Sequence, residues 1–363
     1  MRFILAQPEH EAQLRAMVRA ESMPGRIQVT YAREPDFFHG LGIQGTFNQI
    51  VAAEENRQII GFGCRSIRPM WINGKETNFG YLSGLRSSPD AKRRLGLARG
   101  YRTFRELHAD GRCPGYISTI IEGNSEAVST IASGRGRLPH YNDLGKCFTY
   151  ALALKRRENG KPHPDIKTRS LRVGEEALAA NTLRKFGQQY QFFPAFNATD
   201  FDTALLRDLP VNRFLIAETD DGPCGIAAIW DQSAFKQHRI HAYSPGIRRL
   251  KPLINLGLKS AGFNPLPTVG ETLHHAYFCF AAVKDNDPRI MRALINSARA
   301  QSAQSGFSHL LSGFHEKDPA ARAVHGMPKS VYRSQLFFVG WEQERHTFAQ
   351  LDDRIPHFDP AIL

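Results

Sequence analysis

The sequence contains no run of about 18 apolar residues, so no segment can cross a bilayer as a helix. It also lacks a signal-peptide core. MRFILAQPEHEAQL turns polar after a few residues, which makes a cytoplasmic chain with no membrane partner the expectation. There is no CxxC pair. The five cysteines (Cys64, Cys113, Cys147, Cys224 and Cys279) are scattered, which fits reduced, buried thiols better than a disulfide framework or a zinc site. Two phosphate signatures are missing as well, the GxxxxGK[ST] P-loop and the dinucleotide fingerprint GxGxxG. Basic residues are nowhere interleaved with aromatics over a long run, which disfavours a nucleic-acid groove.

What is present is ordinary in amount and uneven in placement. The 363 residues are 42% hydrophobic and 23% charged, enough for two globular domains with real cores. The net charge of +12 is concentrated in the first half. Residues 1–157 carry 23 Lys and Arg against 14 Asp and Glu, and the remainder carries 24 against 21. A small polyanionic ligand of the first half fits that asymmetry better than a nucleic acid does. KRRENGKPHPD, Lys155 to Asp165, is charged, has two prolines, and reads as a linker. The expected organisation is therefore a domain over 1–157, a second over 165–345, and a C-terminal tail over 346–363.

Periodicity predicts the same order of elements in both halves. In the first, RFILA reads as a strand and Pro8 to Ala20 as a helix, with an irregular aromatic segment from Pro24 to Gly45. Strands follow at Phe47–Ala53, Gln58–Ile67 and Phe79–Leu85. A helix then carries Leu97, Tyr101, Phe104 and Leu107 on one face, Tyr116–Ile121 is a strand, and a hairpin ends in CFTYALAL. In the second half, strands are predicted at Phe214–Glu218, Cys224–Asp231 and Ala276–Val283. Asp287 caps a helix with Pro288 at its first position, and His309–Leu311 and SQLFFVGW close the series. The long helices are expected to begin near 94 and 288, and the short ones near 124 and 318, an offset of about 194 in both cases. The fold class is α/β, a mixed sheet with helices in each half.

One stretch concentrates chemistry: SPDAKRRLGLARG, from Ser88 to Gly100. A helix entrance offers unpaired N–H groups and a positive dipole end, a glycine lets a bulky ligand approach the backbone, and arginines complete a phosphate cradle. Arg93-Arg94-Leu95-Gly96-Leu97-Ala98-Arg99 has all three. A solvated basic helix end for Arg93, Arg94 and Arg99, and close helix packing for Gly96 and Ala98, are the bland alternatives.

Arg93-x-x-Gly96-x-Ala98, after a strand and opening a helix, resembles the pyrophosphate-binding motif of the GNAT N-acetyltransferase superfamily. YLSGLRSSPD before it and GYISTIIEGNSEAVSTIASGRG after it match the family's surroundings, so the resemblance spans residues 1–154; the second half matches in order alone. The chain thus looks like two acyl-CoA N-acyltransferase-like domains in tandem. The resemblance implies acetyl-CoA, or another acyl-CoA, as donor. It implies pantetheine contacts at Leu85, Arg86, Ser87 and Asn124, and a cradle from Arg93 through Arg99. It also implies a parting of the fourth and fifth strands, where a backbone N–H near Leu85 polarises the thioester. The spacing from Pro89 to Arg93 is one residue longer than the family's, so strand-end assignments carry a shift of one. Asn124 reads equally as an N-cap.

The acid–base groups are harder to place. Ser83-Gly84 stands where many relatives carry a carboxylate, leaving Glu122 as the nearest carboxylate by topology, with capping or salt bridging as its other reading. The tyrosine many relatives place after the Asn is Ile131 here, and Tyr141 is the substitute, with a core or rim tyrosine as the alternative. In the second half, Val283-Lys-Asp-Asn-Asp-Pro-Arg289 has no glycine, and Asp285 and Asp287 would repel a pyrophosphate, so that half is expected to be a degenerate copy without a cofactor. Ile247 to Pro267 is a basic, apolar insertion that either lines an acceptor cleft or covers a sheet edge. His274-His275 and His238…His241 have no carboxylate or cysteine at ligand spacing, and no metal is expected. The function these features favour is acyl transfer, acetyl first, from the CoA thioester to a primary amine by direct attack in a ternary complex. A non-catalytic acyl-CoA-binding protein and a nucleic-acid-associated protein are the alternatives. The acceptor and the oligomeric state are not specified.

Overall fold

A computed structural model describes residues 1–23, 25–88, 96–124, 138–158, 160 and 163–363. In the first half, Arg2–Leu5 (β1) precedes Glu11–Ala20 (α1), whose Leu14 and Val18, four residues apart, are buried. Ser22–Met23 (β2), Ile27–Ala32 (β3) and the short helix Phe37–Leu41 (α2) follow. Next come Phe47–Glu55 (β4), Gln58–Ile72 (β5), Lys75–Ser87 (β6), Gly96–His108 (α3), Tyr116–Ile121 (β7) and His140–Ala153 (β8). The second half begins with Lys167–Ser170 (β9), Glu176–Gly187 (α4), Tyr190–Gln191 (β10), Phe214–Thr219 (β11) and Gly222–Trp230 (β12). It continues with Gln237–Tyr243 (β13), Pro245–Ser260 (α5), His275–Val283 (β14) and Pro288–Gln304 (α6). His309–His315 (β15), Lys329–Gly340 (β16), Arg345–Ala349 (α7) and Ile355–Pro356 (β17) complete it. Among the described residues no helix is long and apolar enough to cross a membrane.

Most predicted elements are present, and α6 starts as expected, with the Asp287 carboxylate accepting the Arg289 N–H at 2.8 Å. The segment read as irregular, Pro24 to Gly45, contains β3 and α2 among its described residues. Ile27, Val29 and Tyr31 alternate along β3, which pairs with β13 about 200 residues away (Ile27 with Tyr243, Tyr31 with His238). Nothing local signals a partner that distant.

Among the described residues twelve strands form one mixed sheet, in the order β1-β4-β5-β6-β7-β16-β8-β15-β14-β12-β11-β9. The two outer sets run in the same sequence from either edge: β1, β4, β5, β6, β7 and β9, β11, β12, β14, β15. At the centre the last strand of each half has crossed over. β16 pairs with β7 (Ser334 with Ile121, Val339 with Tyr116), and β8 pairs with β15 (His309 with Ala153, His315 with Cys147). The two exchanged strands pair with each other from Lys329–Leu152 to Gly340–His140. His140 to Ala153 is thus one continuous strand where a hairpin was expected.

Alternation along these strands serves two faces. One face packs on α3 through Val51, Ile67, Leu82, Tyr116 and Ile120, and on α6 through Leu215, Ala227, Ile229 and Leu310. The other packs on α1 and α2 through Ile50, Ala52 and Cys64, and on α4 through Ile216, Ile226 and Ala228. Residues 346–363 are not a loose tail. β17 pairs with β10, and Phe358, Asp359, Ala361 and Ile362 are buried.

The exchange makes each half an incomplete sheet by itself. Chains 1–160 and 161–363 produced separately are expected to lack cooperative unfolding, and produced together to form a 1:1 complex that unfolds cooperatively. Circular dichroism melts check this, and two separately cooperative halves would refute it.

Candidate functional site

The sheet opens between β6 and β7. These parallel strands pair only at Gly80–Tyr116 and Tyr81–Ile117. Beyond that, the Ser118 hydroxyl bridges to the Leu82 carbonyl at 2.9 Å, and the strands then part. At the same level β6 carries a bulge. Phe62 pairs with Arg86 and Cys64 with Ser83, leaving Gly84 and Leu85 opposite Gly63. Gly84 has φ +66°, a conformation that costs a glycine little. The Leu85 side chain lies near Gly63, where a Cβ would meet both Leu85 and the Phe104 ring of α3. Leu85 and Ile121, 41% and 43% exposed, stand at the mouth of the parting. Ser87 pairs back to Gly61, and from Ser83 to Ser87 the edge of β6 facing β7 has no strand partner among the described residues. Such an edge can hydrogen-bond an extended amide-bearing arm.

Of the sequence-predicted binding residues, Gly96, Leu97, Ala98 and Arg99 form the first turn of α3. Arg93, Arg94 and Leu95 lie outside the described residues, as does the short helix expected after Asn124. Arg86 forms an ion pair with Glu21 at 2.7 Å. Asn124 follows β7 at the mouth, its N–H on the Ile121 carbonyl. The far end of α3 is anchored: fully buried Arg65 reaches Asp110 at 2.7 and 2.8 Å and Tyr116 Oη at 2.8 Å. Arg65 holds the Asp110 carboxyl below the usual range, against partial burial. His108 touches the same Tyr116 hydroxyl at 2.9 Å and Glu344 at 3.1 Å, which ties α3 to the end of the second half.

The acid–base candidates separate in space. The Tyr141 hydroxyl is 2.6 Å from that of Tyr101 on α3 and interacts with Ser118 at the throat of the parting. Burial pushes the Tyr141 phenol up to about 12 and raises the Tyr101 phenol well above its ordinary value. The Tyr101–Tyr141 hydroxyl pair thus lies beside Ser118, whose hydroxyl bridges to the Leu82 carbonyl where β6 and β7 separate. Glu122 lies on the rim. Its side chain is 53% exposed and 3.5 Å from Arg333.

The opposite face of the parting is cationic. Arg33 is 6% exposed, its guanidinium stands 5.6 Å from the Tyr31 ring and 5.4 Å from the Phe37 ring, and its buried Nη1 has no partner. Its charge is felt at buried Tyr81 on β6 and at buried Cys64 on β5. Lys236 is buried nearby, donating to the carbonyls of Pro360, Ala361 and Leu363 at 2.9, 3.1 and 3.3 Å. Burial, then the charge of Arg33, lowers its pKa to about 7, while the three carbonyls complement an ammonium. Neither residue stood out in the sequence, because their neighbours come from β3, α2 and the final segment, all remote in the chain. Gly84 was legible as a glycine but was weighed only as a missing carboxylate.

Among the described residues no group of three or more His, Cys, Asp or Glu could hold a metal. His275 is 7% exposed, its Nδ1 lies 2.9 Å from the Leu273 carbonyl, and its Nε2 is buried without a partner. Burial lowers its pKa from 6.5 to about 4. Between those values the unfolded chain binds a proton that the folded chain refuses, so stability falls as pH drops through the window. In His275→Phe the slope of unfolding free energy between pH 6.5 and 4 is expected to decrease by about one proton. Urea titrations across that range read it, and an unchanged slope counts against a buried neutral imidazole.

The second half contains the same device in closed form. β14 and β15 pair from His275–His309 to Phe278–Ser312 and then part. The bulge recurs: Ile226 pairs with Ala282 and Ala228 with Cys279, and Phe280 has φ +51°. Here the parting is filled by the chain itself. The Phe280 N–H donates to the Asp359 carboxylate at 2.7 Å, and a Cβ on Gly313 would overlap Pro360 and the Phe358 carbonyl. At the mouth, Asp287 caps α6 and pairs with Arg289 at 2.7 Å. Both the groove and the helix entrance are thus taken.

The sequence matches no family model and no curated protein. The fold matches solved structures. N-myristoyltransferase of Saccharomyces cerevisiae with bound myristoyl-CoA aligns with a TM-score of 0.60 at 10% identity, covering 93% of this chain and 82% of that one. A second structure of that enzyme with bound myristoyl-CoA gives 0.58 at 10% identity over 93% and 79%. A GCN5-related N-acetyltransferase from Anabaena variabilis gives 0.49 at 10% identity over 92% and 72%. The chain therefore shares the mixed α/β fold of the yeast N-myristoyltransferase structures.

Proposed function

We propose that this protein is an acyl-CoA-dependent N-acyltransferase with one donor site, in the first half. The observation that carries the reading is the open parting of β6 and β7, with its positive-φ bulge at Gly84–Leu85 and the Gly96 entrance of α3 beside it. A pantetheine arm would pair with the free edge at Leu85 to Ser87, and its pyrophosphate would sit on Arg93 to Arg99 at the helix start. The thioester oxygen would face the bulge N–H groups. The second half supports this placement, since there the equivalent N–H, of Phe280, holds a carboxylate oxygen. By that correspondence the donor is Gly84 or Leu85, within the one-residue shift that the spacing near Pro89 implied. Preorganised backbone donors of this kind contribute on the order of 3 kcal/mol to the transition state.

The step is direct attack of a neutral amine on the thioester carbon, forming the amide bond and releasing CoA thiolate. The Tyr101–Tyr141 hydroxyl pair protonates the thiolate, and Glu122 takes the amine proton through water at the rim. Acetyl-CoA is the donor the motif implies, and longer acyl-CoAs are the second reading, because the aligned yeast enzyme carries myristoyl-CoA. Buried, unpaired Arg33 on the acceptor face favours an amine that also carries a carboxylate.

Calorimetric titration with acetyl-CoA and with myristoyl-CoA tests the donor site. Binding of at least one is expected, weakened about tenfold or more by Gly96→Asp, which places a carboxylate at the pyrophosphate position. Failure of both to bind removes the reading. Free-CoA release across an amine panel then separates catalysis from binding alone. Tyr141→Phe is expected to lower kcat by about 10²-fold without changing donor affinity. Arg33→Met is expected to raise KM for carboxylate-bearing amines about 10- to 100-fold and to leave other amines unaffected.

A further inference from the structure

The basic, apolar insertion finds no place in the donor site. It forms α5, sixteen residues with none buried. One edge packs on the small sheet of β13, β3 and β2, where Ile247 and the following Leu266 and Leu273 meet Val29, Ile240 and Tyr243. It therefore covers a sheet and does not line the parting. Away from that sheet, Leu250, Leu253 and Leu256 recur every third residue and are 50%, 68% and 64% exposed, with Val269 of the adjoining loop at 61%. Among the ten most exposed large apolar side chains of the described residues, these four belong to one short stretch.

The charges beside this row have one sign. Residues 245–260 include Arg248, Arg249, Lys251 and Lys259 and no Asp or Glu. Lys251 turns inward to the Pro267 carbonyl at 2.6 Å and the Tyr243 ring. Arg248, Arg249 and Lys259 have no ion-pair partner among the described residues. Arg156 joins them at the end of the helix, reaching the Lys259 carbonyl at 3.3 Å. The single acid of residues 261–274, Glu271, has its carboxylate on the Thr268 N–H at 2.6 Å.

We propose that the outer face of α5 seats this protein on an anionic lipid bilayer, with the leucine row in the headgroup–acyl boundary and Arg248, Arg249, Lys259 and Arg156 on lipid phosphates and carboxylates. A helix with an exposed leucine row and a basic border has the form of an interfacial helix, which needs no membrane span. The expectation of no membrane partner rested on the lack of a span and of a signal-peptide core, and neither bears on it. A second copy is the poorer occupant. A two-fold contact would bring these cations against their own copies, with no acid on the helix to neutralise them. The inference is independent of the donor site.

The test uses the full chain and sedimentation with vesicles of phosphatidylcholine containing about 30% phosphatidylserine, against pure phosphatidylcholine. Binding to the anionic vesicles is expected, weakened about tenfold or more when salt rises from about 0.05 to 0.5 M. Leu250→Asn/Leu253→Asn/Leu256→Asn is expected to abolish it with an unchanged melting temperature, since the replaced side chains are exposed. Arg248→Gln/Arg249→Gln is expected to weaken it at low salt. No binding to anionic vesicles, or binding that the triple leucine variant leaves intact, overturns the proposal. So does self-association by sedimentation velocity that the leucine variant removes in a protein that ignores vesicles.

Discussion

The antiparallel pairing of β8 with β16 is the constraint on which the rest of the structure depends. It joins two similar halves into one sheet by placing the final strand of each beside the fifth strand of the other. A strand at the centre of a sheet satisfies its backbone groups on both sides. The exchange therefore gives β7 and β15 covered edges that neither half supplies internally. It also leaves each parting in place. β16 supports β7 on its outer side along its whole length, so β7 can diverge from β6 on its inner side without becoming an isolated strand.

From that frame the two halves diverge in what fills the parting. Gly84 and Phe280 occupy equivalent bulge positions, both with positive φ. For glycine the conformation is cheap; for phenylalanine it costs about 1–2 kcal/mol and needs compensation. The compensation is visible. The Phe280 N–H is on Asp359, and its ring packs 4.8 Å from Phe196 and 5.7 Å from Trp230. The second half uses its bulge to bind its own chain, and in doing so builds a core from α4, Trp230 and Ile362. The first half keeps a glycine and an open mouth.

How much of this was legible followed from range. Tyr116–Ile121 was readable to the residue, because its β-branched run is local, and the Asp287-Pro288 cap was readable because capping is decided within three residues. The helix that opens at Gly96 was legible through its apolar face, while Arg93 to Leu95 before it lie outside the described residues. The exchange of β8 and β16 was not, because a strand's own residues give its period and burial but not its neighbour. CFTYALAL and SQLFFVGW pair with the opposite halves without any mark in either. Arg33 and Lys236 escaped for the same reason. A lone Arg in a sequence looks solvated until β13 closes over it.

The joined sheet also explains why the second half is integral to the first. The buried cations beside the parting of the first half are assembled from both halves, Arg33 after β3 and Lys236 just before β13, held by the pairing of Ala32 with Gln237 and by Gln237 on both backbone groups of Glu34. Lys236 is in turn fixed by carbonyls of the segment that fills the second parting. Closing the second groove therefore does more than silence it. It also fixes β13 and the lysine that lies beside Arg33. A second half that kept its own ligand groove open would have to leave residues 357–363 outside the sheet, and Lys236 would then lie buried without its three carbonyls. One open site and one plugged site are, on this argument, two consequences of the same packing.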